Sequence, residues 1–268
     1  MIAFRKMHGA GNDFVVVDAR REPFAATPAL TRAIADRHTG IGFDQLVVIG
    51  RDPEADAALR FFNPDGGEAG ACGNGTRCAA SLILAEGNRD RITLKTAFGL
   101  LVAEQAAGRI TVDMGAPRLG WQDMPLARAM ATEEVPLDEP ALGPATCCSM
   151  GNPHATFFVA DADAVPLDRL GPKLEHHALF PERCNIGIAS LLGPGRLRLR
   201  VWERGAGETL ACGSGACAAL VAAVRRGLTG AGAALVMQRD SLFATWREDG
   251  HVLLSGPVAT SYTGEFQE

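Results

Sequence analysis

The chain repeats itself at a fixed distance. Shifted by 140 positions, "GEAGACGNG" at 67–75 falls on "GETLACGSG" at 207–215, with six of nine residues identical. The same shift sets Gly11-Asn12 on Gly151-Asn152, Gln45 on Asn185, Asn63 on Glu203 and Gly87 on Gly227, with no gap between these blocks. A constant offset over separated segments marks two homologous halves rather than one recurring motif. Each half must then build the same unit, and that excludes most folds open to a chain of this length.

Hydropathy patterning agrees with two copies. The first half reads as strands at "IAFRKMH" and "FVVVDA", a helix at "PALTRAIADRH", strands at "DQLVVIG" and "AALRFFN", and a helix from Gly73 to Glu86. Strands at "RITLKT", "GLLVAEQ" and "RITVDMG" close it. The second half runs "ATFFVAD" as strand, "LDRLGPKLEHHAL" as helix, "NIGIASLL" and "RLRLRVWE" as strands, then a helix from Gly213 to Arg226. Strands at "ALVMQRD", "LFATWRE" and "HVLLSG" follow.

The helices after Cys72 and Cys212 are small and apolar on nearly every face, the pattern of a buried helix, and each meets a glycine at its C-terminal end. The expected fold is α+β: two pseudo-symmetric domains, each a curled, mainly antiparallel sheet around a central helix. The expected domains are 1–115 and 116–257, with the tail 258–268 returning to the first and the active site in the cleft between them. Residues 116–149 hold Pro117, Pro125, Pro136, Pro140 and Pro144, are weakly patterned, and read as the connection.

The repeated turn carries the chemistry. Cys72 and Cys212 each stand at or near a helix N-cap, followed by Gly73-Asn74-Gly75 and Gly213-Ser214-Gly215. Such turns expose backbone N–H groups, which can hold a carboxylate. The positive end of the helix can lower a thiol's pKa. Each turn therefore pairs a reactive thiol with an anion cradle, whereas a lone cysteine at a helix start is more often packing. The symmetry breaks close by: Asn63-Pro64 in the first half becomes Glu203-Arg204 in the second. One half gives a neutral amide where the other gives an acid and a guanidinium, an asymmetry suited to a substrate with several charged groups.

Other chemistries find little support. The net charge of −5 offers no footprint for nucleic acid or an acidic membrane surface. No apolar run approaches a membrane span or a signal peptide, so the expected compartment is the cytoplasm. The seven cysteines lack the regular spacing of a disulfide framework. Zinc would want closely paired Cys or His. The spacings of six for Cys72/Cys78 and five for Cys212/Cys217 put each pair on different helix faces. There is no phosphate loop, "HGAGNDF" lacks the third glycine of a dinucleotide fingerprint, and no lysine has a distinctive context. No metal and no cofactor are expected.

Six blocks in order, "KMHGAGNDFVVVD", "GFDQLVVI", "FNPDGGEAGACGNGTRC", "MGNPHATFFV", "PERCNIGIA" and "RVWERGAGETLACGSGACAA", resemble the diaminopimelate epimerases over almost the whole chain. The resemblance implies a cofactor-independent isomerase interconverting LL- and meso-diaminopimelate on the bacterial route to lysine and cell-wall peptide, usually as a homodimer. It assigns the paired catalytic cysteines to Cys72 and Cys212, and tuning of that pair to His154 and Glu203. It assigns substrate contact to Asn12, Gln45, Asn63, Asn152, Asn185, Glu203 and Arg204, and to the helix starts Gly73-Asn74 and Gly213-Ser214. Tyr262 matches a position linked to dimer contact. Cys147, Cys148 and Cys184 lie outside the motifs.

Three other readings remain at this stage. A proline, hydroxyproline or histidine racemase would share the thiol pair but need Arg204 and the Asn set less. A thiol redox protein would cycle Cys72 and Cys212 through a disulfide but has no use for that polar lining. A non-catalytic amino-acid binding protein would keep the lining and not need both thiols.

Overall fold

The computed structural model describes every residue except 71, 88, 98, 107 and 268. The chain divides into two units, Met1–Asp113 with Ser255–Glu268, and Met114–Leu254.

In the first unit β1 (Ile2–Gly9) and β2 (Asn12–Asp18) form an antiparallel hairpin with Arg5 opposite Val16. Helix α1 (Pro28–Ala35) then crosses over, and β3 (Gln45–Gly50) lies parallel to β2 with Phe14 opposite Gln45. A helical crossover is what a parallel pair requires. Thr27 caps α1, its hydroxyl accepting from Leu30 N–H at 3.3 Å, and Pro28 opens the first turn. Strand β4 (Ala57–Phe62) runs antiparallel to β3 and carries the short β5 (Glu68–Ala69). Helix α2 (Gly73–Glu86) is the second crossover, leading to β6 (Arg91–Thr96) parallel to β4. Strands β7 (Gly99–Ala106) and β8 (Arg109–Asp113) complete a meander.

The second unit repeats these elements. It has β9 (Thr146–Ser149), β10 (Pro153–Phe158), α3 (Leu167–Glu175), β11 (Asn185–Gly193), β12 (Arg196–Glu203), β13 (Gly207–Thr209), α4 (Gly213–Arg225), β14 (Gly232–Val236) and β15 (Ser241–Trp246). Strand β16 (Val252–Gly256) spans the division between the units, and β17 (Ala259–Phe266) pairs antiparallel with β1. Beside the site the two units share a register. β10 and β11 are parallel with His154 opposite Asn185, each 140 residues beyond Phe14 and Gln45. Ile186 opposite Trp202 likewise repeats Leu46 opposite Phe62. The architecture is α+β; among the described pairings antiparallel ones are in the majority, with a parallel pair at each helical crossover.

The central helices are buried as their composition requires. In α2 the residues from Asn74 to Ala80 are buried, and the helix packs against β1–β4 and β6–β8. In α4 the run Gly215–Ala223 is buried against β9–β12, β14 and β15. Two glycines let the helix starts sit this close to their sheets. A Cβ on Gly75 would fall 3.1 Å from Phe61 and Val47, and one on Gly215 3.0 Å from Val201.

The proline-rich stretch is a different matter. Instead of a bare connection, 116–149 contributes Met124, Leu126, Val135, Leu137, Leu142, Ala145 and Cys147 to the core of the second unit, beside Phe157, Ile186 and Ile188. Its backbone is held by isolated bridges, Arg118 to Ser149 and Val135 to Ala145. Aperiodic chain can fill a core when its apolar residues arrive singly, which is why no period announced it.

The tight fit at Gly75 yields a test. Phe14, Val47 and Phe61 are fully buried and cannot give way, so Gly75→Ala forces overpacking of about 1–3 kcal/mol against a helix-propensity gain near ~1. The thermal midpoint should drop by a few degrees. An unchanged or raised midpoint contradicts this packing.

Candidate active site

Two half-sites form at equivalent ends of the two units. In the first, Asn12 and Gln45 begin β2 and β3, Asn63 directly follows β4, and Cys72 caps α2. The parallel pairing of β2 with β3 sets both strand starts at one end, and the antiparallel β4 brings its last residue to the same place. The Cys72 sulfur accepts from Gly75 N–H at 3.4 Å, the ordinary bond of a helix N-cap made here by a thiol group. Gln45 Nε2 donates to Asn63 Oδ1 at 3.1 Å.

A directional chain of side chains runs behind Cys72. Buried Arg77 donates through Nη2 to Asn74 Oδ1 at 2.7 Å, and Asn74 Nδ2 donates to Asn12 Oδ1 at 3.3 Å. Asn12 Nδ2 in turn donates to Asp44 Oδ2 at 2.7 Å, and Asp44 Oδ1 accepts from Arg37 at 2.9 Å. The ends of the chain are a donor-only guanidinium and an acceptor-only carboxylate, so neither amide can flip without losing a bond. Asn12 therefore shows its oxygen to the Cys72 sulfur, 4.0 Å away.

Asp13, beside Asn12, sits between Lys6 and Arg37. Burial alone would raise its carboxyl, but hydrogen bonds and charge from Arg37 and Lys6 hold it at about 2. Asp44 is raised by burial and by the Asp13 charge.

The second half-site uses the same positions with other chemistry. Cys212 caps α4, its sulfur accepting from Gly215 N–H at 3.4 Å and lying 3.6 Å from Ser214 Oγ. His154 Nε2 is 3.0 Å from both Ser214 Oγ and Asn152 Oδ1. Asn185 donates to Pro153 O at 2.8 Å and accepts from Arg204 N–H at 2.9 Å. Glu203 accepts from Thr209 Oγ1 at 2.6 Å, and the Arg204 guanidinium reaches Glu182 O at 3.0 Å.

The expected lowering of a thiol pKa at a helix start does not win at Cys212. Burial, reinforced by the Glu203 carboxylate, pushes it well above the ordinary range, although Ser214 and Gly215 N–H pull the other way. At neutral pH Cys212 is a thiol. His154 is driven down to about 3 by burial and by the Arg204 charge, so its ring is neutral.

The structure thus gathers Asn12, Gln45, Asn63, Cys72, Gly73 and Asn74 at one half-site. Asn152, His154, Asn185, Glu203, Arg204, Cys212, Gly213 and Ser214 gather at the other. Tyr262 joins neither hydrogen-bond set. It lies on β17 opposite Lys6, half exposed, with its ring edge-on to Phe4 at 6.0 Å.

Asp44 and Arg77 were missed by the sequence reasoning. The shift of 140 held the signal, since Arg77 falls on Cys217 and Asp44 on Cys184, charge against thiol. Cys78, Cys147, Cys148 and Cys184 are buried thiols whose pKa values burial raises, to about 12 for Cys78 and Cys148. Among the described residues no cluster of three His, Cys, Asp or Glu could hold a metal, and no helix is long and apolar enough to cross a membrane.

This arrangement, two cysteine-capped helix starts in equivalent places, can be set beside known proteins. A family model described as diaminopimelate epimerase matches residues 4–120 and 146–264. The chain belongs to the diaminopimelate epimerase family. Its enzyme class is therefore isomerase. It is similar to the diaminopimelate epimerase of Rhodospirillum centenum, 58% identical over 268 residues covering 99% of this chain and 92% of that one. It is also similar to that of Acidiphilium cryptum, 56% identical over 266 residues, covering 98% and 95%. Among solved structures, a probable proline racemase from Agrobacterium radiobacter shares the fold, with a TM-score of 0.70 at 17% identity over 100% of this chain and 93% of that one. The stretch 121–145, outside the two matched regions, is the aperiodic segment that fills the second core.

The Asp13 cluster of this epimerase-family chain has a pH signature. A carboxyl held below its ordinary 3.8 stabilises the fold fully above that value, and the contribution is lost as pH falls towards about 2. Asp44, raised instead, works in the opposite direction. The wild-type acid limb should therefore be steeper than that of Asp13→Asn by about 1–2 kcal/mol. Superimposable acid limbs in circular dichroism would contradict the cluster.

Proposed function

We propose that this chain interconverts LL- and meso-diaminopimelate without a cofactor, using Cys72 and Cys212 as a base and acid pair. The observation that carries the reading is the cysteine-capped helix start built twice, each sulfur 3.4 Å from the N–H of the second glycine of its turn. Membership of the family supports the substrate.

The chemistry follows from those two turns. An amino-acid α-carbon releases its proton only if the resulting negative charge is stabilised as it forms. In this reading the substrate α-carboxylate lies against the N–H groups that open α2 and α4, Gly73-Asn74 and Gly213-Ser214, where charge can spread as in an oxyanion hole. One cysteine, as thiolate, takes the α-proton and becomes a thiol. The other, as thiol, delivers its proton to the opposite face and becomes a thiolate. The product is inverted at carbon, the two sulfurs have exchanged states, and the reverse reaction restores them.

Which cysteine acts first as base depends on the stereoisomer bound, and burial with the Glu203 carboxylate favours the thiol form at Cys212. Neutral His154 and anionic Glu203 tune the Cys212 side. For the distal end of the substrate, Asn12, Gln45, Asn63, Asn152, Asn185 and Glu203 offer amide and carboxylate partners, and Arg204 takes the second carboxylate.

The enzyme is proposed to be a cytoplasmic homodimer joined through the surface bearing Tyr262. Its place would be the bacterial route to lysine and peptidoglycan precursors. Because the reaction needs both thiols free, mild oxidants should inactivate the enzyme.

Proton NMR of LL-diaminopimelate with reduced enzyme in heavy water tests the reading. Loss of the α-proton signal with growth of the meso isomer is expected, and Cys72→Ala or Cys212→Ala should lower the epimerisation rate by at least about 100-fold. Exchange of proline or histidine instead would retain the thiol pair and refute the substrate. No exchange of any amino acid would refute the isomerisation.

A further inference from the structure

Glu175 is a buried carboxylate to which the reaction gives no role. It is the last residue of α3, and its side chain is 4% exposed. Both oxygens are occupied: Oε2 accepts from Trp202 Nε1–H at 2.7 Å, and Oε1 accepts from Gly205 N–H at 3.0 Å and from Arg183 at 3.5 Å. Trp202 and Gly205 bracket Glu203 and Arg204. A carboxylate is kept in such a place only where its oxygens are satisfied, and the groups satisfying this one belong to the turn that carries the site.

The repeat shows what this contact replaces. The shift of 140 sets Ala35 on Glu175, Phe62 on Trp202 and Pro64 on Arg204. Both turns are closed alike, Gly66 N–H to Asn63 O and Ala206 N–H to Glu203 O, each at 3.0 Å, but in the first unit the Pro64 ring also fixes φ. In the second unit an arginine stands there, and Gly205 and Gly207 both take positive φ, +77° and +86°. That turn lacks the proline and gains an anchor. The indole is itself seated: a Cβ on Gly171 would fall 2.3 Å from its Cδ2.

We propose that Glu175 is a positioning residue: by accepting from Gly205 N–H and Trp202 Nε1–H it holds the 203–205 turn, so that Arg204 is presented to the distal carboxylate of the substrate. The proposal rests on the assignment of Arg204 given above. Arg204 completes the arrangement, its N–H on Asn185 Oδ1 and its guanidinium on Glu182 O.

Glu175→Gln is the sharp variant, because its shape is kept while one acceptor oxygen becomes an NH2 that must face Trp202 Nε1–H or Gly205 N–H. KM for diaminopimelate should rise about 10- to 100-fold, with kcat changed less than ~3-fold. In an Arg204→Gln background the same substitution should add almost nothing, since both act through one contact. Glu175→Asp keeps two acceptor oxygens and should recover part of the affinity; it takes the place of Glu175→Gln in the cycle if the latter does not fold.

An effect of equal size with Arg204 already replaced, or a fall in kcat at unchanged KM, would overturn the proposal. Exchange of the Gly205 amide with heavy water, read by NMR without substrate, separates this proposal from the substrate assignment. Faster exchange in Glu175→Gln supports the clamp even if the wild type fails to turn over diaminopimelate. Unchanged exchange removes the clamp whatever the activity.

Discussion

The structure depends on a helix cap made by sulfur. Helix N-caps are normally Ser, Thr, Asp or Asn, whose oxygen accepts the N–H three residues on. Here Cys72 and Cys212 do so, each across 3.4 Å to a glycine N–H. A thiol is a weak acceptor and a thiolate a strong one, so deprotonation strengthens the same bond that begins the helix. The cap needs the glycine as well, because a side chain at Gly75 or Gly215 would push the helix start off its sheet. In the proposed reaction, acid–base chemistry and helix packing share one set of atoms.

Around that shared frame the two half-sites diverge where proton affinity is decided. The first has Phe14, Asn63 and Arg77; the equivalent places in the second hold His154, Glu203 and Cys217. Beside α4 the Glu203 carboxylate raises the neighbouring Cys212 thiol. At Cys212 the carboxylate and burial together outweigh two hydrogen bonds that favour the thiolate. An inversion by two groups requires one acid and one base at any moment, and duplication alone would supply two equal thiols. Glu203, where the first half has Asn63, is the break in the repeat that acts on Cys212.

Much of this was legible in the chain because duplication writes its own register. The offset located both cysteine turns, the buried helices and the polar residues at the strand starts, and the Asn63/Glu203 break pointed to the asymmetry. Other features had no sequence period to betray them. The 116–149 segment packs apolar residues singly into the second core, so its prolines read as a linker. Asp44 and Arg77 act through other side chains, and only the three-dimensional hydrogen-bond direction shows that they fix the Asn12 and Asn74 amides. The sign of the shift at Cys212 was also hidden. A helix start argues for a lowered pKa, and burial, which decides the matter, is a property of the folded unit.

The central claim, that burial and the Glu203 carboxylate hold the Cys212 thiol well above the ordinary range, is most directly tested by the pH dependence of alkylation at Cys72 and Cys212. Reduced protein would be treated with iodoacetamide over a pH series and the two peptides quantified separately by mass spectrometry. Midpoints rather than absolute rates matter, because burial slows Cys212 for steric reasons too. The account predicts that Cys212 gains reactivity only well into the alkaline range. A midpoint at Cys212 within or below the ordinary thiol range would contradict it.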